Sequence, residues 1–233
     1  MCTVTYLPTP DGFIVTTNRD EGTQRAKAEP PAQRGSDSLV VYPLDPEGGG
    51  TWVAAAEDRV VCLMNGALGP HVRKPPYRHS RGKIVVDAVK TADINDFINN
   101  YPLHEIEPFT LIIAQKEGVI QLAWDGKQRH IQNHSSENPY IWSAPMLYSA
   151  EAQRKRERWF AQWLGHNPAF TMEKITDFHL NAGEGNEAID LRMNRGEKGP
   201  QTVSITSLKW TPNSLEVEYR DLLSDEIKTM KWP

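Results

Sequence analysis

The sequence predicts an α+β fold built on antiparallel sheets, on three observations. Short β-branched and aromatic runs fill most of residues 1–65 and return at 109–144 and 202–232. Compact turn signals such as Pro8-Thr9-Pro10-Asp11-Gly12 and Lys116-Glu117-Gly118 join neighbouring runs, as hairpins require and parallel crossovers do not. Helical patterns come in groups after residue 80 and after residue 148 instead of alternating with single strands, which separates layers of helix from layers of sheet.

Taken in order, TVTYL and GFIVTTN form the first hairpin, and SLVVYP, TWVAAA and RVVCLMN follow as strands. Residues 22–37 are polar and proline-bearing and read as a long covering loop. Ser80 can cap a helix through RGKIVVDAVKT, and Ala92 or Asp93 can start INDFINNY. FTLIIAQ, VIQLAW, RHIQNH and YIWSA are the next strands. SAEAQRKRERWFAQWLG is the clearest helix: Trp159 and Trp163 stand one turn apart, as do Phe160 and Leu164, the basic residues from Arg154 to Arg158 are expected on its outer side, and Gly165 ends it. MEKITDFHLNA gives another helix, and TVSITSLKW, SLEVEYRDL and EIKTMKW close the chain as strands.

A chain of 233 residues with 39% hydrophobic content can bury a sizeable core, and we read 1–233 as one domain. With a net charge of −4 and both signs interspersed, no face is expected to be strongly basic, which argues against nucleic acid and anionic membrane as partners. Two cysteines, Cys2 and Cys62, are not a disulfide framework. There is no signal-peptide pattern and no apolar run of the roughly 20 residues a bilayer span needs, so the expectation is a cytoplasmic protein without stable membrane insertion. Homo-oligomerisation is left open. The seven histidines show no metal-ligand spacing, so neither metal nor organic cofactor is expected.

Cys2 directly follows the initiator methionine. If Met1 is removed, thiol and α-amine share one carbon, and the amine, with a pKa of about 7.7–8.0, can take the proton of a thiol of about 8.5. The competing reading is a small residue opening a buried strand. Asn18-Arg19-Asp20-Glu21 is a polar cluster ending an apolar strand. If Leu7 faces Phe13 across the turn, Cys2 stands opposite Asn18 with Asp20 diagonal to it; a turn longer or shorter by one residue brings Arg19 or Thr17 opposite instead. A nearby cation favours the thiolate, and a carboxylate can hold the ammonium. The alternative is a solvated strand end with an Arg–Glu pair. Asn65-Gly66 can supply an oxyanion donor or simply a turn. Trp52, after three glycines, can be a cleft wall or a core aromatic, and Cys62, within a strand, reads as a buried apolar residue.

Cys2, Asn18-Arg19-Asp20-Glu21, Gly49-Gly50-Thr51-Trp52, Asn65 and Arg81-Gly82, in this order, resemble the NRDE-motif family, also called the Transport and Golgi organisation 2 family. Trp142 to Ser149 is a weaker match, and the C-terminal third matches loosely. The resemblance implies an N-terminal-nucleophile-hydrolase-like fold, a four-layer αββα sandwich of two antiparallel sheets. It also implies similarity to cysteine amidases such as penicillin V acylases and bile-salt hydrolases. On that basis Cys2, Arg19, Asp20 and Asn65 are the expected catalytic residues, and Asn18, Glu21, Trp52, Gly66, Arg81 and Ser143 are expected to contact a small-molecule substrate. Two parts of the amidase pattern lack a counterpart. A second asparagine is replaced by Ser143-Ala144-Pro145, and Arg192, Arg195 and Arg220 are candidates for a late arginine without a motif. The expected activity is hydrolysis of a non-peptide C–N bond in a small amide. The rival is a non-catalytic carrier or trafficking protein binding haem or an acyl compound, with Cys2, His71, His79 or His104 as haem ligands.

Overall fold

The computed structural model describes residues 3–35 and 40–233. Among these, thirteen strands and four helices form two antiparallel sheets, as expected. They divide into two compact units, one from the residues up to Arg25 with Glu137–Pro233, the other from Ala26–Ser136.

In the first unit β1 (Thr3–Thr9) and β2 (Gly12–Gly22) make the opening hairpin, flanked by β10 (Tyr140–Ser143) and by β11 (Pro200–Thr211), β12 (Ser214–Asp221) and β13 (Glu226–Trp232). The sheet order is β10-β1-β2-β11-β12-β13. The C-terminal strands therefore complete the sheet that the first strands begin. Leu7 pairs with Ile14 and Thr3 with Asn18. This is one residue away from Leu7–Phe13 pairing, and it is the register that the sequence associates with Arg19 opposite Cys2. Leu7 and Ile14 pack against Trp159 and Phe160 of α3 (Ala150–His166) and Ile175 and Phe178 of α4 (Met172–Asn181). The helices thus lie on the face carrying Thr3, Thr5, Leu7, Ile14, Thr16 and Asn18, since alternate strand residues share a face. Ser149 and Thr171 cap α3 and α4 through their hydroxyls.

In the second unit the order is β3-β4-β5-β6-β7-β8-β9. The strands are β3 (Glu29–Gln33), β4 (Val40–Leu44), β5 (Val53–Ala56), β6 (Arg59–Asn65), β7 (Phe109–Gln115), β8 (Gly118–Trp124) and β9 (Arg129–His134). β3 corrects the expected continuous loop over 22–37. Pro30 and Pro31 lack the N–H that an inner strand would need, but β3 is an edge strand, and its ladder shifts register between Glu29 and Ala32. α1 (Arg81–Lys90) and α2 (Ile94–Asn100), capped by Ser80 and Asp93, pack on this sheet. α1 contains four β-branched residues, each disfavoured in a helix by about half a kcal/mol. Burial of Ile84, Val85 and Val89, at about 1.5–3 kcal/mol each, outweighs that preference.

The motif glycines have a steric reason. Thr51 donates its N–H to the Gly82 carbonyl at 3.1 Å, so the turn before β5 runs backbone to backbone against the start of α1. A Cβ on Gly50 would lie 2.3 Å from the Gly82 carbonyl carbon, and one on Gly82 would lie 2.9 Å from Thr51 N. Gly50→Ala is expected to lower unfolding stability by about 2–3 kcal/mol, as overpacking against backbone does. Gly69→Ala, where nothing stands within 4 Å of the added methyl, should be close to neutral. Urea titration of the two variants checks the contrast.

Candidate functional site

Cys2 lies outside the described residues, so the site is built from what surrounds the start of β1. Thr3 is fully buried, and its Oγ1 accepts a 2.6 Å hydrogen bond from Arg156 Nη1. Arg156 is itself 0% exposed, which corrects its expected place on the outer side of α3. Its Nε donates to Ile189 O at 2.8 Å and its Nη2 to Asp190 O at 2.6 Å, while Nη1 also reaches Ser143 Oγ at 3.4 Å. The guanidinium lies 3.5 Å over the ring of Tyr148. A buried cation needs this many partners, because one left uncompensated is strongly destabilising.

Tyr148 carries the network to the motif strand. Its hydroxyl donates to Asp20 Oδ2 at 2.8 Å, and Thr202 Oγ1 donates to Asp20 Oδ1 at 2.6 Å. Asp20 is 3% exposed. Here the β2–β11 ladder slips: Asp20 pairs with Thr202 but Arg19 with Ser204, leaving Val203 as an extra residue. Such a bulge re-aims side chains at a strand end. Arg19 is also buried and, as the neighbour of Asp20 in an extended strand, projects to the face away from α3 and α4. The strand thus sends the motif's cation and its buried anion to opposite faces. Glu21, at the strand end, accepts from Gly22 N at 3.0 Å and pairs with Arg25 at 3.6 Å.

Asn18 is fully buried and engaged at both ends of its amide. Nδ2 donates to Leu191 O at 2.7 Å, and Oδ1 lies 2.6 Å from His179 Nδ1. Because Oδ1 can only accept, Nδ1 carries the proton, and Nε2 accepts from Thr5 Oγ1 at 2.8 Å. Burial, then the Arg156 charge, push the His179 pKa down from 6.5 to about 3. Asn18 therefore ties β2 to α4 through its side-chain amide. Ser143 pairs with Thr3 across the ladder and is half-buried.

The remaining expected residues belong to the second unit. Asn65 ends β6, half-buried, and its side chain makes no hydrogen bond among the described residues. Gly66 turns the chain at φ +86°, and its N–H goes to Pro108 O at 3.1 Å, so that N–H is not free to bind an oxyanion. Arg81 donates to the same carbonyl at 3.0 Å and pairs with Glu107 at 3.4 Å. Trp52 is 3% exposed, the core aromatic of its two readings. Burial drives the Cys62 thiol far above its ordinary range, which makes it inert. His71 lies 3.4 Å from Glu107, His79 Nδ1 donates to the Ser80 carbonyl at 2.9 Å, and His104 is exposed.

Arg156, Tyr148, Thr202 and His179 were not singled out by motif. Two carried a readable signal: Ala152, Arg156, Trp159 and Trp163 follow helical spacing along one stripe of α3, and His179 follows Ile175 by one turn of α4. Of the three late-arginine candidates, Arg195 comes near this network, 5.5 Å from the Tyr148 ring, whereas Arg220 pairs with Glu218 at 2.8 Å.

The fold is N-terminal-nucleophile-hydrolase-like, as expected. Among 41 matching chains of solved structures is a penicillin V acylase from Agrobacterium tumefaciens, with a TM-score of 0.59 over 99% of this chain and 86% of that one at 10% identity. The family model described as Transport and Golgi organisation 2 matches residues 1–178, and the chain belongs to that family. No curated protein matches it.

His179 imposes a pH dependence of known sign. Its pKa is lower folded than unfolded, so the unfolded chain binds the proton first. Its contribution is fully present above about pH 6.5 and is lost as pH falls toward 3. Between pH 7 and 4.5 this amounts to about 2–3 kcal/mol. In His179→Gln the stability difference between those two pH values should shrink by about that amount, read from urea unfolding at each pH.

Proposed function

We propose that the chain is a cysteine amidohydrolase of the N-terminal-nucleophile type, acting on the C–N bond of a small amide, with Cys2 as nucleophile after removal of Met1. The observation that carries this reading is the Asp20 carboxylate, buried at the motif end of β2 and fixed through both oxygens by Tyr148 and Thr202. It lies on the same face as Thr3, one pleat repeat beyond the Thr3–Asn18 pair. A fixed anion at that level suits an ammonium at the head of β1 and keeps the α-amine oriented. Fold likeness to a penicillin V acylase supports the reaction class. The Leu7–Ile14 register supports Arg19 as the cation that favours the thiolate.

In the proposed reaction the α-amine takes the thiol proton, and the sulfur bonds to the carbonyl carbon. The C–N bond then breaks, the α-ammonium returns its proton to the departing amine, and a thioester remains. Water, deprotonated by the same α-amine, cleaves the thioester and restores the thiol. Every proton is held by the enzyme's own first residue, whose position depends on Asp20.

The intact mass of the purified chain should lack Met1, and a panel of amides that includes penicillin V should yield an acyl adduct on Cys2 during turnover. Cys2→Ala should abolish adduct and turnover. Asp20→Asn should lower kcat by about 10²–10⁴-fold, the range of a positioned acid–base group. Retention of Met1 in an active preparation, or full activity in Cys2→Ala, would overturn the assignment.

A further inference from the structure

Residues 66–83 contain no aspartate or glutamate but hold Arg73, Lys74, Arg78, Arg81 and Lys83, a basic island in a chain of net charge −4. The same stretch presents Leu68 at 69% and Val72 at 80% exposure. Single exposed apolar residues are ordinary, but here two stand four positions apart at a loop that cations flank on its C-terminal side. The other close exposed pair, Leu223 and Ile227, brackets Asp225 and Glu226 and has the opposite electrostatic character.

The loop is tied down. Gly66 N–H is held by Pro108 O, Arg78 N–H by Glu105 O at 2.8 Å, and Lys74 N–H by the Tyr77 hydroxyl at 2.7 Å. Pro70, Pro75 and Pro76 stiffen it further. The buried carboxylate of Glu107 takes His71, Arg73 and Arg81 as partners. Among the described residues no carboxylate forms an ion pair with Lys74, Arg78 or Lys83, and the exposed Asp87, one helical turn from Lys83, accepts from the Tyr101 hydroxyl at 2.6 Å. Two apolar tips are thus held out of the protein beside three cations that form no ion pair among the described residues, with little ordering left to do on binding.

From this arrangement we propose, against the expectation drawn from the interspersed charge of the whole chain, that the Leu68–Val72 tip and its basic flank dock the protein peripherally on an anionic lipid surface. The cations meet headgroup phosphates and carboxylates while the two small side chains enter the headgroup–acyl boundary. A protein partner would ask for a continuous apolar patch, whereas two separated tips among cations suit a fluid interface.

Co-sedimentation of the full chain with phosphatidylcholine vesicles, with and without about 30% phosphatidylserine, tests it at low salt. We expect at least about tenfold stronger partitioning onto the anionic vesicles, weakening as salt is raised. Leu68→Ser/Val72→Ser should lower it about tenfold, and Lys74→Glu/Lys83→Glu more than twentyfold, since each cation contributes about fivefold. Leu223→Ser/Ile227→Ser should bind as wild type, and unchanged melting temperatures establish that the variants are folded. Equal partitioning onto neutral and anionic vesicles would overturn the proposal, as would wild-type binding by the Leu68/Val72 variant. Retention of wild type and that variant alike on polyglutamate beads, with no vesicle binding, would assign the island to an acidic polypeptide and overturn it as well.

Discussion

The guanidinium of Arg156 is the constraint on which the first unit depends. It is removed from water and divided among a threonine hydroxyl at the head of β1, a serine of β10 and two carbonyls of the 189–190 segment. Desolvating a cation costs several kcal/mol, and only a full set of partners repays it. Any slip of α3 along the sheet, or of β1 against β10, would leave that charge uncompensated. The register of the N-terminal strand is therefore enforced by electrostatics as well as by the apolar contacts of Leu7 and Ile14. The π face of Tyr148 extends the same grip to Asp20, so one buried cation and one buried anion share an aromatic intermediary.

This arrangement gives the family motif a division of labour. Asn18 and His179 form a neutral strut between β2 and α4, held neutral because burial and Arg156 both oppose protonation. Asp20 is the anion of the strand end, and Arg19 belongs to the other face. In the second unit the Gly50–Gly82 approach and the shared Pro108 carbonyl, gripped by Gly66 and Arg81, are structural devices of the backbone. Motif residues of one family thus serve two ends, some fitting a chemical role and others permitting a close passage of chain that no side chain would allow.

How much was legible follows from which interactions are local. Alternation, turn residues and caps are local, so the strands, the grouped helices and the Ser80 and Asp93 starts could be read. The register of β1 on β2 rests on a difference of one residue in the turn, which alternation alone does not decide. β3 was hidden because two prolines mark loops everywhere except at a sheet edge. Arg156 was hidden because a charge on a helix is ordinarily solvated, and only its partners 153, 33 and 34 residues away reverse that expectation. Asp20 was found from its motif, but its partners Tyr148 and Thr202, contributed from 128 and 182 residues away, carry no local signal.

A double-mutant cycle between Thr3 and Arg156 tests most directly whether the buried cation fixes the head of β1. Thr3→Val, Arg156→Met and the combined variant are compared with wild type by urea unfolding at pH 7. The account predicts a coupling energy of at least about 1.5 kcal/mol, with the double variant less destabilised than the sum of the singles. Additivity within about 0.5 kcal/mol would contradict it, because α3 would then hold β1 through apolar packing alone.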